Sequence, residues 1–310
     1  MSKRKISIRM EELLIQELLN KYLTDNVSEA VNLAAREVLE PNFTYKPPRV
    51  QLFPFLGSKP KKLTTLINDI MPSHDIFVDV FGGTGVVLSS KPTEVSKIEV
   101  YNDKNERLTN MLKIVKERPL EFYLRCKNLF VSDNIFRTFL EEKEFDNPLD
   151  DAINYFYLSA TSIYGNRSSL KFNPKKRATV AYRNRLASIF EVSDRFNDVT
   201  ILNRDFRYII KKFDSPSTLY YLDPPYFGNE SYYADKFTEK DHQDLAKILK
   251  RVQGKFILSY YASKEVYLLY KGSDNFYHAS IRMQRQSGKK QLITEKIITN
   301  FSFEGSKPYK

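Results

Sequence analysis

Sulfur and imidazole are scarce in this chain. One cysteine, Cys126, and three histidines among 310 residues exclude a disulfide framework and leave too few ligands for a zinc site of the Cys/His type. Such cysteine usage fits a reducing cytosol. Also lacking is any uninterrupted apolar run of about 20 residues, the length that a membrane-spanning helix needs. Met1 to Lys5 is basic as a signal peptide's start would be, but an amphipathic stretch carrying Glu11, Glu12 and Glu17 follows it, so no secretory leader is expected. A hydrophobic content of 42% excludes disorder and collagen-like classes.

What the chain has in excess is positive charge. Its 49 Lys+Arg against 38 Asp+Glu give a formal charge of +11, which implies a polyanionic partner, nucleic acid or a membrane surface. The length suits one large α/β domain or two smaller units.

Lys3 to Met10 alternates Ile6, Ile8 and Met10 with Lys5, Ser7 and Arg9, the period of a half-buried strand with one basic face. Helical spacing follows in Leu14, Leu18, Leu19, Tyr22 and Leu23. After the polar turn Thr24-Asp25-Asn26, Ser28 is placed to cap a second helix carrying Val31, Ala35, Val38 and Leu39. This strand, helix, helix order resembles the ribbon-helix-helix family of DNA-binding proteins. The resemblance implies a DNA-binding and dimerising unit over 1–42, with Lys5, Ser7 and Arg9 reading bases; a strand and helical hairpin packed on the main domain is the plainer alternative. Pro41, Pro47 and Pro48 mark a stiff linker, and the main domain is expected over 50–310.

Ile76 to Phe81 is an apolar strand candidate running into Gly82-Gly83-Thr84-Gly85 and then Val86-Val87-Leu88, the strand, glycine-rich turn, helix order of a nucleotide-binding α/β unit. Asn102-Asp103 follows the turn by about 20 residues, where an acid binds ribose hydroxyls. Leu88 stands where a dinucleotide fold wants a third small residue, and no phosphate-holding Gly-Lys-Ser/Thr is present.

Tyr220-Tyr221-Leu222 runs into Asp223-Pro224-Pro225-Tyr226. A double proline cannot continue a central strand, which places Asp223 at its carboxyl end, where ligands bind in open α/β sheets. Here the sequence resembles the adenine-specific N6 DNA methyltransferases, and within them the Dam-like D12 class. The resemblance runs from the Phe53 to Lys59 segment, through Asp79 to Gly85 and Asp205-Phe206, to the Asp-Pro-Pro-Tyr motif, in the family's order. It implies a class I S-adenosylmethionine-dependent methyltransferase with a Rossmann-like sheet and a mostly helical target-recognition insert, expected over 106–198. The implied activity is site-specific methyl transfer from S-adenosyl-L-methionine to adenine N6 in double-stranded DNA. Cytosine N4 and RNA adenine methylation are the alternatives within the enzyme class, and a DNA-binding regulator with a secondary or inactive methyltransferase domain is the alternative outside it. A cytoplasmic enzyme of bacterial, archaeal or phage origin is expected, with no membrane partner; a homodimer through the N-terminal unit and a cognate restriction enzyme are compatible with this reading.

Those residue types suit that chemistry. The adenine amino nitrogen is a poor nucleophile because its lone pair is delocalised into the ring. Acceptors for its two N–H groups favour a tetrahedral nitrogen, and Asp223 with the Pro224 carbonyl provides them, in directions fixed by Pro224 and Pro225. The base must leave the duplex to be reached, and Tyr226 offers it an aromatic face. By resemblance, Phe55 and Lys59 contact the methionine end of the cofactor, Asp103 its ribose, Asp205 and Phe206 its adenine, while Asp79, Phe81, Gly82, Gly83 and Gly85 form its loop beside Asp223. Lys59 lies in a lysine-rich run, so a solvated surface charge is its alternative, and Asp79 is as consistent with capping the loop. Arg125 rather than proline precedes Cys126, which reads as a small buried apolar residue and not as the nucleophile of a cytosine C5 enzyme.

About a hundred residues separate Asp103 from Asp205, too many for a simple βα connection. Arg118 to Phe130 and Pro148 to Thr161 read as helices. Tyr164 to Arg177 mixes turn formers, bases and aromatics. It reads as a DNA-contacting loop or hairpin in which Lys171, Lys175, Lys176 and Arg177 meet phosphates and Tyr164, Asn166 or Arg167 read bases; Arg183 and Arg185 extend its basic character. Strands are expected at Lys255 to Tyr260, Tyr277 to Met283 and Lys296 to Phe303, with the basic Arg285 to Lys290 loop between two of them.

Overall fold

The computed structural model describes residues 59–170, 178–227, 237–273, 275–284 and 292–309. The N-terminal unit with Lys5, Ser7 and Arg9, then Phe55, the basic run Lys171, Lys175, Lys176 and Arg177, and the 285–290 loop lie outside the described residues, and of Tyr164 only the backbone is described.

Eight strands form one sheet: β1 (Ile76–Asp79), β2 (Ile98–Asn102), β3 (Val199–Leu202), β4 (Thr218–Leu222), β5 (Lys255–Tyr261), β6 (Tyr277–Gln284), β7 (Leu292–Thr299) and β8 (Lys307–Pro308), in the order β3-β2-β1-β4-β5-β7-β6-β8. The first five pair in parallel. β7 runs antiparallel between β5 and β6, so that β6 points the same way as β5. This is the sheet of a class I methyltransferase, as the resemblance implies. Because the order reverses between β1 and β4, the helices that follow these strands leave to opposite faces and open a crevice at the strands' carboxyl ends. Asp79 ends β1 and Asp223 follows β4, so the two flank that crevice.

Both sheet faces are covered, which is why all five residues of β4 are buried and apolar or nearly so. On one face Val78, Tyr220, Leu222, Phe256 and Leu258 pack against α8 (Phe206–Phe213), α9 (Glu239–Leu249) and α10 (Lys264–Tyr270). On the other, Phe77, Tyr101, Leu219, Tyr221 and Ile257 share a core with α1 (Lys61–Asp69), α2 (Val86–Ser90) and the helices between β2 and β3. Those are α3 (Glu106–Glu117), α4 (Pro119–Lys127), α5 (Asp133–Glu141), α6 (Pro148–Thr161) and α7 (Ala178–Phe196). The insert therefore extends the main core: Phe136, Phe156 and Tyr182 belong to the same buried cluster as the sheet.

Two sequence expectations change here. The basic stretch ending at Arg185 is helical from Ala178 onward, because Tyr182, Leu186, Ile189, Val192 and Phe196 recur every three or four residues and are all buried; Arg183 and Arg185 thus sit on α7. The last long strand begins at Leu292 and ends at Thr299 rather than spanning 296–303. Asn300 terminates it by side chain: its Oδ1 accepts from Phe256 N (2.9 Å) and its Nδ2 donates to the Gly254 carbonyl (2.9 Å), in place of ladder bonds. Cys126 is fully buried on α4, where burial pushes its thiol up from its ordinary range. Among the described residues no helix is long and apolar enough to cross a membrane.

Candidate active site

The glycine-rich turn is shaped by what surrounds it. A Cβ on Gly82 would lie 2.1 Å from the Tyr101 ring, and that tyrosine's hydroxyl donates to the Gly83 carbonyl (2.6 Å). Gly85 has a φ of +65° and faces Phe196. No other residue fits either place without displacing a buried ring. Asp103 closes the turn from the end of β2, its Oδ2 accepting from Gly83 N and its Oδ1 from Asn105 N, both at 2.8 Å. The loop and the acid about 20 residues beyond it are thus joined directly.

Asp79 is 1% exposed, and its Oδ1 has no hydrogen-bond partner among the described residues. Burial, reinforced by the nearby Asp223 and Asp103 carboxylates, drives its acid well above the usual range. Three carboxylates converging on a glycine-lined crevice, one of them an orphan, fit a cationic ligand. Beside them Phe81, Phe206 and Phe237 form an aromatic trio with ring centroids 5.6–5.7 Å apart. Asp205 caps α8 through Arg207 N (2.9 Å) and pairs with the Arg207 guanidinium (3.1 Å), which also holds Asp241 (2.5 Å) and Asp244 (2.8 Å).

Across the crevice, Asp223 belongs to a buried polar cluster. Lys59 Nζ lies 2.7 Å from Asp223 Oδ1 and 2.8 Å from Glu295 Oε1, and it also donates to the Tyr226 hydroxyl. The hydroxyl of Tyr226 donates to Asp223 Oδ1 (2.9 Å) or to Glu295 Oε1 (2.5 Å), the same oxygen that accepts from Ser259 Oγ. Burial disfavours the Lys59 ammonium, but Asp223 and Glu295 outweigh that and hold it charged well above the ordinary lysine range. The two carboxyls diverge. Burial, with Glu295, raises Asp223 against the pull of Lys59; for Glu295 burial is overcome by Lys59, Ser259 and Tyr226, which hold it below its ordinary range. Neither Asp223 Oδ2 nor the Pro224 carbonyl receives a hydrogen bond from the described residues.

Lys59 is therefore buried, not a solvated charge, and sits against Asp223. The Tyr226 ring is buried, edge-on to Tyr261 at 4.2 Å, with Lys59 Nζ 4.8 Å from its centroid. Arg167 has a φ of 55° and lays its guanidinium over Tyr155 (4.7 Å), whose hydroxyl accepts from it (3.1 Å). The Asn166 side chain accepts from Ser168 N (3.1 Å). His242 packs between Phe227 and Phe237 and bonds Tyr260. Among the described residues no cluster of His, Cys, Asp or Glu is built to hold a metal. Sequence reading missed Glu295 and Ser259. The available signal was a charged residue at an inward position of an alternating strand, Glu295 lying opposite Tyr261, and it vanished once the strand was started at Lys296.

The family described as D12 class N6 adenine-specific DNA methyltransferase matches residues 55–286, three quarters of the chain. None of the curated proteins compared with it matches. Among solved structures, a rRNA methylase from Streptococcus thermophilus aligns at 10% identity over 79% of this chain and 98% of its own, with a TM-score of 0.34. The turn after β1, Asp103 and the Asp223 to Tyr226 segment all fall inside the matched residues, and the chain belongs to the D12 class N6 adenine-specific DNA methyltransferase family.

Proposed function

We propose that the chain methylates adenine N6 at a specific sequence in double-stranded DNA, with Asp223 and Pro224 as the reacting site's two acceptors. The observation that carries this is the pair left without hydrogen bonds by the described residues, Asp223 Oδ2 and the Pro224 carbonyl. They match the two N–H groups of an exocyclic amine. Accepting from both draws the nitrogen out of conjugation and directs its lone pair into the crevice. S-adenosylmethionine, when bound, supplies an activated methyl on a sulfonium and leaves as a neutral thioether. The nitrogen that gains the methyl must lose a proton, and the Asp223 carboxyl, paired with Lys59 at 2.7 Å, is the group placed to take it. Tyr226 is buried with its hydroxyl in the Lys59 cluster and holds Asp223 rather than offering the open face expected of it, and the half-buried Tyr261 beside it is the ring placed to meet the extruded base.

The cofactor side of the crevice is assigned to Asp79, Phe81, Gly82, Gly83, Gly85, Asp103, Asp205 and Phe206. Asp103 suits ribose hydroxyls and the Phe81, Phe206, Phe237 trio suits an adenine ring. Asp79 tests this. As its pKa is raised in the folded state, ionising it costs stability, and that cost grows as pH rises from the ordinary carboxylate value toward the raised one. Asp79→Asn is expected to raise the melting temperature of the ligand-free protein by a few degrees at neutral pH and by nothing below about pH 4. It is expected to weaken S-adenosylmethionine binding at least about tenfold, near 1.4 kcal/mol. Calorimetric titration showing unchanged affinity would remove Asp79 from the cofactor site.

The activity itself is checked by incubating unmethylated DNA with labelled S-adenosylmethionine and analysing nucleosides by mass spectrometry. N6-methyladenine is the expected product; N4-methylcytosine, or no label in DNA, overturns the reading. The 1–42 unit is proposed as a ribbon-helix-helix module that dimerises and neutralises further phosphates. Removing it is expected to flatten the salt dependence of DNA binding by about 0.9 in log–log slope for each phosphate it neutralises, while equal slopes for 50–310 and the full chain refute it. The insert over 106–198 is assigned to target recognition, with Arg167 held toward Asn105 by Tyr155.

A further inference from the structure

We propose that Glu295 is a positioning residue of the methyl-transfer site, setting the rotation of the Asp223 carboxylate through Lys59 and Tyr226. The inference rests on the function proposed above and adds to it a residue beyond the family match, which ends at 286.

Glu295 is 1% exposed in the middle of the sheet, where a carboxylate without partners would be costly. β7 places it opposite Tyr261 of β5, hence on the same face as Ser259 two residues earlier. That face is the one that receives Lys59 from the segment before α1. One oxygen, Oε1, lies within hydrogen-bond distance of three donors, Lys59 Nζ at 2.8 Å, the Tyr226 hydroxyl at 2.5 Å and Ser259 Oγ, the Tyr226 proton going either here or to Asp223. Two of these, Lys59 and Tyr226, also reach Asp223, and both reach the same oxygen, Oδ1.

Tyr226 has one proton to give, to Glu295 or to Asp223, so the constant grip on the Asp223 carboxylate is the Lys59 ammonium at Oδ1, a charge-assisted bond that opposes its rotation about Cβ–Cγ. Its other oxygen is then held in one direction, and that is Oδ2, the one which no described residue bonds. The Asp223 side chain is 19% exposed, against 6% for that of Lys59 and 2% for that of Glu295, so the cluster is graded from a sealed anchor to an open acceptor. Without the anchor, the ammonium is no longer drawn away from Asp223 by Glu295 and can bridge both Asp223 oxygens, covering the acceptor that the amine needs. Glu295 thus divides the ammonium between two anions and keeps it on the inner side of Asp223.

Placement errors near 1 Å at a reacting group cost about 10²-fold, and that is the expected fall in kcat for Glu295→Gln, with KM for S-adenosylmethionine unchanged. Glu295→Asp keeps the charge but withdraws the oxygen by about 1.5 Å, one carbon–carbon bond, and is expected to lose kcat similarly. It serves as the second variant should the glutamine form fail to fold. Combined with Tyr226→Phe, the Glu295→Gln defect should fall short of the product of the two single defects, because both act on one carboxylate. A purely structural Glu295 predicts the contrary: kcat within about threefold of wild type in every folded variant, or kcat and cofactor binding lost in parallel with the melting temperature; either result, or full multiplicativity, overturns the proposal. Wild type is assayed alongside: if it puts no methyl on DNA adenine, the proposed function fails, whereas an active wild type with an equally active Glu295→Gln refutes only the positioning role.

Discussion

Asp223→Ala is expected to lower kcat by about 10³-fold or more, roughly 4 kcal/mol of transition-state stabilisation, with S-adenosylmethionine still bound and the melting temperature nearly unchanged. The variant loses both the acceptor that pyramidalises the amine and the base that takes its proton. The fold tolerates the loss because Lys59 keeps Glu295 at 2.8 Å and Asp223 is itself disfavoured by burial. Asn at this position is not a mild replacement. Lys59 and Tyr226 both donate toward Oδ1 and would claim the amide oxygen, turning the NH2 group toward an amine that needs an acceptor. Single-turnover transfer of labelled methyl, with cofactor affinity measured by calorimetry, separates the chemical step from binding. More than a tenth of the wild-type rate in Asp223→Ala would show that the chemistry lies elsewhere.

The Asp223 to Tyr226 segment was legible in the sequence because backbone rules alone place it: an apolar run stopped by two prolines must end a strand, and strand ends face the crevice. The same holds for the turn after β1, where Gly82 and Gly85 are demanded by the Tyr101 and Phe196 rings. Asp103 followed from its spacing. What stayed hidden depended on interactions between distant segments. Lys59 and Glu295 are 236 positions apart, and only its place in the Phe53 to Lys59 motif distinguishes Lys59 from its lysine neighbours, which names the residue but not its partners. Arg183 and Arg185 drew attention as charge, while the buried period from Tyr182 to Phe196 that makes α7 a helix ran underneath them. The clustered charge of the insert thus mixes a helix face with residues that the sequence alone assigned to one loop.

Lys59→Met carries the largest expected effect on stability. It removes the cation shared by two buried carboxylates and leaves Asp223 and Glu295 competing for the Tyr226 hydroxyl, which can donate to only one of them. Breaking a buried pair from one side typically costs about 3–5 kcal/mol, which for a domain of this size is a fall of roughly 10 °C in Tm. The sign of the pH dependence discriminates this from a simple packing defect. In the wild type, Glu295 has a lowered pKa and contributes stability above its unfolded value, lost as pH falls. Without Lys59 the burial of both carboxyls and their mutual repulsion raise their folded pKa values, so the penalty is full above those values and relieved as pH falls through them. Between about pH 8 and pH 5 it is the second effect that closes the gap, and the first joins it only as pH falls below the ordinary carboxylate range. The difference in Tm between wild type and Lys59→Met should therefore be widest near about pH 8 and shrink by about pH 5, whereas a defect of shape alone would leave it constant across that window.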